Sequence, residues 1–197
     1  MRAMNHLTIL ASLASLAILV WGLLLAGAAG ATEDAARLKP SADGALVLDA
    51  ASGLAWSRCV EGMSWDGRQC HGEAARLTHA QALASARARS QAEGRLWRVP
   101  RVMELRQLAE HLAQSREPAA RLFPGAPGGW YWTSSVRLET ESVNPYAYRN
   151  VERGATGGPQ TLIDPMRGWV AQPDSGESRG DVSKREKLPV RLVRAAD

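Results

Sequence analysis

The sequence predicts an α+β domain in which two helices are bracketed by short strands. Three observations carry this. Two stretches, about 79–94 and 101–115, combine helix start and stop signals with apolar residues at helical spacing. Short runs at 45–49, 54–56, 130–135 and 188–194 read as strands. Between the helices, Leu96–Leu105 compresses a strand, a turn and a helix start. There Trp97 and Val99 share one strand face, while Pro100 holds Val99 extended and suits the first turn of the next helix.

The chain opens with Arg2 and His6, an apolar run from Leu7 to Leu25, and the small residues Ala26–Ala31. A positive start, an apolar middle and a small-x-small end describe a secretory signal peptide over residues 1–31, cut after Ala31. The competing reading is an uncleaved inner-membrane anchor over residues 7–26, because the run is long enough to span a bilayer. That segment is the only membrane contact expected. Either way the rest of the chain is expected in the periplasm or outside the cell. Residues 32–43 are polar, contain Pro40 and read as a linker. The domain is placed at 44–195.

Ala45–Asp49 and Leu54–Trp56 form the arms of an expected hairpin, with Gly53 in its turn. Cys59 and Cys70 follow, with Trp65 and the turn signal Asp66-Gly67 between them. In an oxidising compartment an isolated pair reads as a disulfide. A metal site fits less well, because His71, His79 and His111 show no ligand spacing. A redox pair usually has two residues between its cysteines, and this pair is wider.

Thr78 and Gln81 match a capping box at the start of the first helix. Its apolar face is thin, Ala82, Leu83 and Ala86, and it ends by Gly94. Arg87 and Arg89 flank that face and are expected to be solvated. The second helix has a firmer face in Val102, Leu105, Leu108, Ala109 and Leu112. Glu104 lies in its first turn, where a negative charge suits the helix dipole, and Pro118 closes it. After the Pro/Gly stretch 122–129 comes a strand, Trp130–Ser135. Beyond Val136 the pattern is irregular, with strand-like pieces at 161–163 and 168–170 and a polar loop at 174–187. The closing strand is Leu188–Arg194. Trp56, Trp97, Pro100, Leu105, Trp132, Val190 and Leu192 are expected to be core.

Read together, Gly53-Leu-Ala-Trp56, Arg58-Cys59, Gly62, Trp65, Gly67, Cys70, Gly72, Trp97-Arg-Val-Pro100, Glu104-Leu105, Tyr131-Trp-Thr-Ser-Ser135 and Val190–Arg194 resemble the Lcl C-terminal domain family. That family is named for the C-terminal domain of a bacterial collagen-like adhesin. The resemblance covers about residues 45–194. It implies a C-type-lectin-like fold, with two helices on a small, mostly antiparallel sheet and paired first and last strands. It also implies a surface or periplasmic location and, in the named member, adhesion to sulfated polysaccharides. The sequence departs from the pattern at Arg101, where a small polar residue is usual, and over 136–188. It contains no collagen-like Gly-x-y repeat, so no trimerising stalk is expected.

A formal net charge of +4 is mild and its basic residues are scattered, which disfavours nucleic acid. No catalytic constellation, metal site or cofactor is legible. Glu141, Asn144 and Asp164 do not form the oxygen cluster that calcium needs. Aromatics and arginines anchor interfaces, so Tyr146, Tyr148, Arg149, Arg153 and Trp169 are the ligand-binding candidates. The tripeptide Arg179-Gly180-Asp181 is taken as incidental. The expected function is a non-enzymatic binding or adhesion module of the cell envelope, taking a glycan, an envelope polymer or a protein. The alternatives are an assembly component with a protein partner and, by analogy with related folds, a copper-dependent enzyme using paired cysteines.

Overall fold

The computed structural model describes residues 38–143 and 158–197, together with Tyr148 and Glu152. The expected leader lies outside the described residues. The elements are β1 (Leu38–Pro40), β2 (Leu46–Asp49), β3 (Leu54–Ser57), β4 (Met63–Trp65), β5 (Cys70–Gly72), α1 (His79–Glu93), α2 (Val102–Gln114), α3 (Ala119–Leu122), β6 (Tyr131–Val143), β7 (Gly158–Ala171), β8 (Ser178–Ser183) and β9 (Val193–Ala195). The class is α+β. The described strands form three antiparallel sheets, ordered β1-β2-β3-β9, β4-β5 and β6-β7-β8.

The β2–β3 hairpin turns on Asp49. Its buried carboxylate accepts the Ala51 N–H at 3.1 Å and the Ser52 hydroxyl at 2.6 Å, and Gly53 follows at φ +66°. The same carboxylate meets His111 Nδ1 at 2.8 Å, so the turn is fastened to α2. Cys59 and Cys70 are joined, with their Cα atoms 5.5 Å apart. Between them Asp66 accepts the N–H groups of Arg68 and Gln69, which closes the β4–β5 turn.

The capping box of α1 forms: Gln81 N–H donates to Thr78 Oγ1 and Thr78 N–H to Gln81 Oε1. Gly94 ends the helix at φ +63°. Ser90, on the thin apolar face, accepts the Trp97 N–H at 2.9 Å and so ties the helix to the corner that follows. In that corner Trp97, Val99 and Pro100 are buried. Arg98 grips Glu104 with two bonds of 2.7 Å each, and Glu104 also accepts the Arg101 N–H at 2.7 Å. Arg98 and Val193 exchange backbone bonds, so the corner borders the last strand.

Two apolar clusters fill the interior. One gathers Val47, Trp56, Leu105, Leu108, Leu122, Phe123 and Tyr131. The other gathers Ala82, Ala86, Trp97, Val99, Trp132, Val170, Val190 and Leu192. Arginines stack on aromatic rings both in the core and at its edge: Arg58 over Trp65, Arg89 over Trp97, Arg179 over Trp130 and Arg191 over Phe123.

Several expectations are corrected. Arg89 is not solvated: it stacks 3.9 Å from the Trp97 ring and bonds Glu93 and the Ser57 hydroxyl. The stretch read as linker contains β1, whose Leu38 is buried against β2. Pro118 does not merely close a helix; it precedes a third, one-turn helix. The pieces at 161–163 and 168–170 belong to one strand, and the polar loop at 174–187 contains β8. β8 escapes an apolar reading because it is an edge strand whose buried apolar side chain is Val182. The closing strand is shorter than expected. Residues 189–193 are all buried, so Arg191 and Val193 are inside along with Val190 and Leu192.

Candidate ligand surface

Strands β6 and β7 form a hairpin longer than the sheet it springs from. β8 pairs with β7 between Arg167 and Ala171, whereas β6 and β7 continue pairing from Leu138↔Ile163 to Val143↔Gly158. The register slips between Trp132 and Val136 and again before Leu138. Such bulges bend and twist a ribbon away from its sheet. At its root Trp132 and Val170 are fully buried. Beyond the slips the character reverses. Leu138 is 60% exposed and Ile163, directly opposite it, 59%. Val136, Leu162 and Met166 are also exposed. Cross-strand partners share a face, so Leu138 and Ile163 make an apolar pair facing outward.

The ribbon's charged side is internally satisfied. Arg137 donates to the Gly180 carbonyl at 3.2 Å and lies 3.3 Å from Glu139. Asp164 accepts the N–H groups of Met166 and Arg167, bonds that hold its pKa below the usual carboxylate range. That carboxylate organises a turn, and the calcium role discounted above has no support from it. The side chains of Glu141 and Asn144 lie outside the described residues.

Of the ligand candidates, Tyr148 is 79% exposed. Trp169 is half-buried, its ring lying over Gly180, where an added Cβ would sit 2.7 Å from it. Tyr146, Arg149 and Arg153 lie outside the described residues. Of the five, Tyr148 and Trp169 are the ones among the described residues. The exposed pair Leu138/Ile163 escaped the sequence reading, although Val136-Arg-Leu-Glu-Thr-Glu141 alternates apolar or small with charged residues at strand period.

The tripeptide 179–181 lies within β8. Arg179 stacks 4.7 Å from Trp130, and Gly180 makes room for Trp169. Both have structural work there. Among the described residues no group of three or more His, Cys, Asp or Glu could hold a metal ion. Among the same residues, no helix is long and apolar enough to cross a membrane.

These features define a disulfide-braced α+β module with a projecting, partly apolar ribbon. The model of the Lcl C-terminal domain family matches residues 45–194, most of the chain, and the protein belongs to that family. No curated protein and no solved structure matches.

Proposed function

We propose that this protein is an exported, non-enzymatic binding and adhesion module of the bacterial cell envelope, built on a C-type-lectin-like scaffold. Its ligand is a glycan or surface polymer taken at the β6–β7 ribbon. The pairing of the early strand β3 with the final strand β9 supports the scaffold reading. Family membership and the Cys59–Cys70 disulfide support export, since such bonds persist in oxidising compartments. The observation that carries the binding role is the outward apolar pair Leu138/Ile163, with Val136 and Met166 also exposed and Tyr148 on the intervening segment. Large side chains grouped in solvent mark interaction surfaces.

The test is a screen of residues 32–197 against glycans and isolated envelope polymers. Saturable binding lost in Tyr148→Ala supports the reading. Binding indifferent to Tyr148 and to Leu138/Ile163 contradicts it.

A second reading has its own support. Between Gly158 and Ile163, β7 pairs with β6 on one side and, among the described residues, with no strand on the other. Such an edge can accept a strand from a protein partner. Crosslinking in intact cells separates the two: a stoichiometric protein adduct is expected only for an assembly component.

A further inference from the structure

Among the described residues two arginines are buried, and they are treated differently. Arg58 is spent on its own protein: Nε donates to the Leu122 carbonyl at 2.8 Å, Nη1 to Gly44 at 3.0 Å and Nη2 to Arg121 at 2.6 Å. Arg191, 2% exposed, donates through Nη1 to the carbonyls of Ser57 and Arg58 at 2.5 and 2.6 Å. Its Nε has no partner. Among the described residues no carboxylate forms an ion pair with it. Guanidinium stays protonated in proteins, and burial lowers this one only to about 10. Its electrostatic support comes from the Tyr131 hydroxyl and, beyond ion-pair distance, from Asp174, and a buried charge with no carboxylate in direct contact is costly.

Arg191 lines a cavity of about 310 Å³, whose other walls include Leu112, Phe123, Pro127 and Tyr131. The Phe123 ring lies 4.1 Å from the guanidinium carbon, and the Tyr131 hydroxyl is held by the Pro127 carbonyl at 2.6 Å. Asp174, an exposed carboxylate, also lines it. The cavity thus offers one buried positive group, one exposed negative group and apolar walls. An anion of high charge, such as phosphate or sulfate, would meet Asp174 unfavourably. A molecule carrying both charges would not.

From this arrangement we infer that the cavity is a binding site for a small zwitterion with an apolar body, an amino acid or short peptide. Its carboxylate meets the guanidinium of Arg191 and its ammonium meets Asp174. Neither the ribbon's exposed side chains nor Tyr148 lines the cavity, so this site does not depend on the function proposed above and can fail separately from it.

The experiment is calorimetric titration of the full-length chain with L-phenylalanine and with the dipeptide Ala-Phe, which distinguish a free amino acid from a peptide source. Phenylalaninamide, without the carboxylate, and N-acetylphenylalanine, without the ammonium, are the controls. Saturable binding of phenylalanine or Ala-Phe, with none of phenylalaninamide, is the expected result. Arg191→Gln removes the charge but endangers folding, so two surface changes carry the test. Asp174→Asn is expected to weaken the zwitterion about tenfold, the scale of one charge-assisted contact, and to leave the N-acetylphenylalanine anion bound no more weakly than before. Ala120→Trp, at an exposed position on the cavity wall, is expected to abolish binding. No saturable response to either zwitterion overturns the assignment. So does equal binding of phenylalaninamide, or binding that survives Ala120→Trp.

Discussion

Reduction of the Cys59–Cys70 bond should lower stability by a calculable amount. The two residues are 11 positions apart, and the chain-entropy relation gives about 3 kcal/mol for a loop of that length. Much of what surrounds the loop survives reduction. Arg58 still stacks on Trp65 at 4.2 Å, and Trp65 Nε1 still donates to the Asp43 carbonyl. The loss should therefore appear as a lower midpoint rather than as an altered fold. With a urea dependence of roughly 2 kcal/mol per molar, the midpoint falls by about 1.5 M. The assay is urea unfolding followed by tryptophan fluorescence, with and without reductant, beside the double variant Cys59→Ala/Cys70→Ala. Reduced protein and variant should unfold together, below the oxidised protein. Coincident midpoints for oxidised and reduced protein, or two reactive thiols in native unreduced protein, would refute the reasoning.

Other perturbations test other contacts. Leu105→Ala empties a fully buried site in the cluster beneath α2 and should cost about 2–5 kcal/mol, read by the same unfolding assay. Gly62→Ala puts a Cβ 2.5 Å from the Glu73 carbonyl oxygen at a backbone φ of +89°, and neither neighbour is a flexible side-chain tip. It should cost at least about 2 kcal/mol. Gly180→Ala pushes the Trp169 ring off β8 and should shift Trp169 emission, at a cost of about 1–3 kcal/mol. His79 is held below its usual 6.5 chiefly by burial, against the opposing bond to the Thr133 carbonyl. The unfolded chain then binds that proton more readily. Its contribution to stability is full above about pH 6.5 and is lost as pH falls through the folded value. His79→Gln should flatten that slope in a pH series of unfolding midpoints.

The elements that announced themselves in the sequence did so through local chemistry. Thr78 with Gln81 and the stop at Gly94 delimit α1, although its apolar face amounts to little more than Ala82 and Ala86. The stripe of α2 was legible because Leu105 and Leu108 recur at helical spacing at the buried centre of its apolar face. The disulfide followed from compartment and count. What escaped was mostly long-range. That Arg89 leans on Trp97 depends on a corner that folds the chain back onto α1, and nothing in the local pattern around Arg89 records it. Arg191 sat between apolar neighbours in an apparent alternation, and only the continuous burial of residues 189–193 shows it inside. β8 was obscured by its polarity, since an edge strand needs little apolar surface. The ribbon was different. Its alternation from Val136 onward was readable but was masked by the glycines and prolines that follow. Residue type alone pointed there to aromatics and arginines, of which Tyr148 is exposed, and passed over the exposed aliphatic pair Leu138 and Ile163.

That pair gives the account its most direct trial. Leu138→Glu/Ile163→Lys changes two outward side chains to an opposite-charge cross-strand pair and should leave the unfolding free energy in urea within about 0.5 kcal/mol of the parent. Retention of the two proteins on isolated bacterial envelopes is the measurement. Wild-type protein should be retained, and the double variant should bind at least about tenfold more weakly, a difference of about 1.4 kcal/mol. Equal retention of both would show that the ribbon is not the surface this domain presents to its partner.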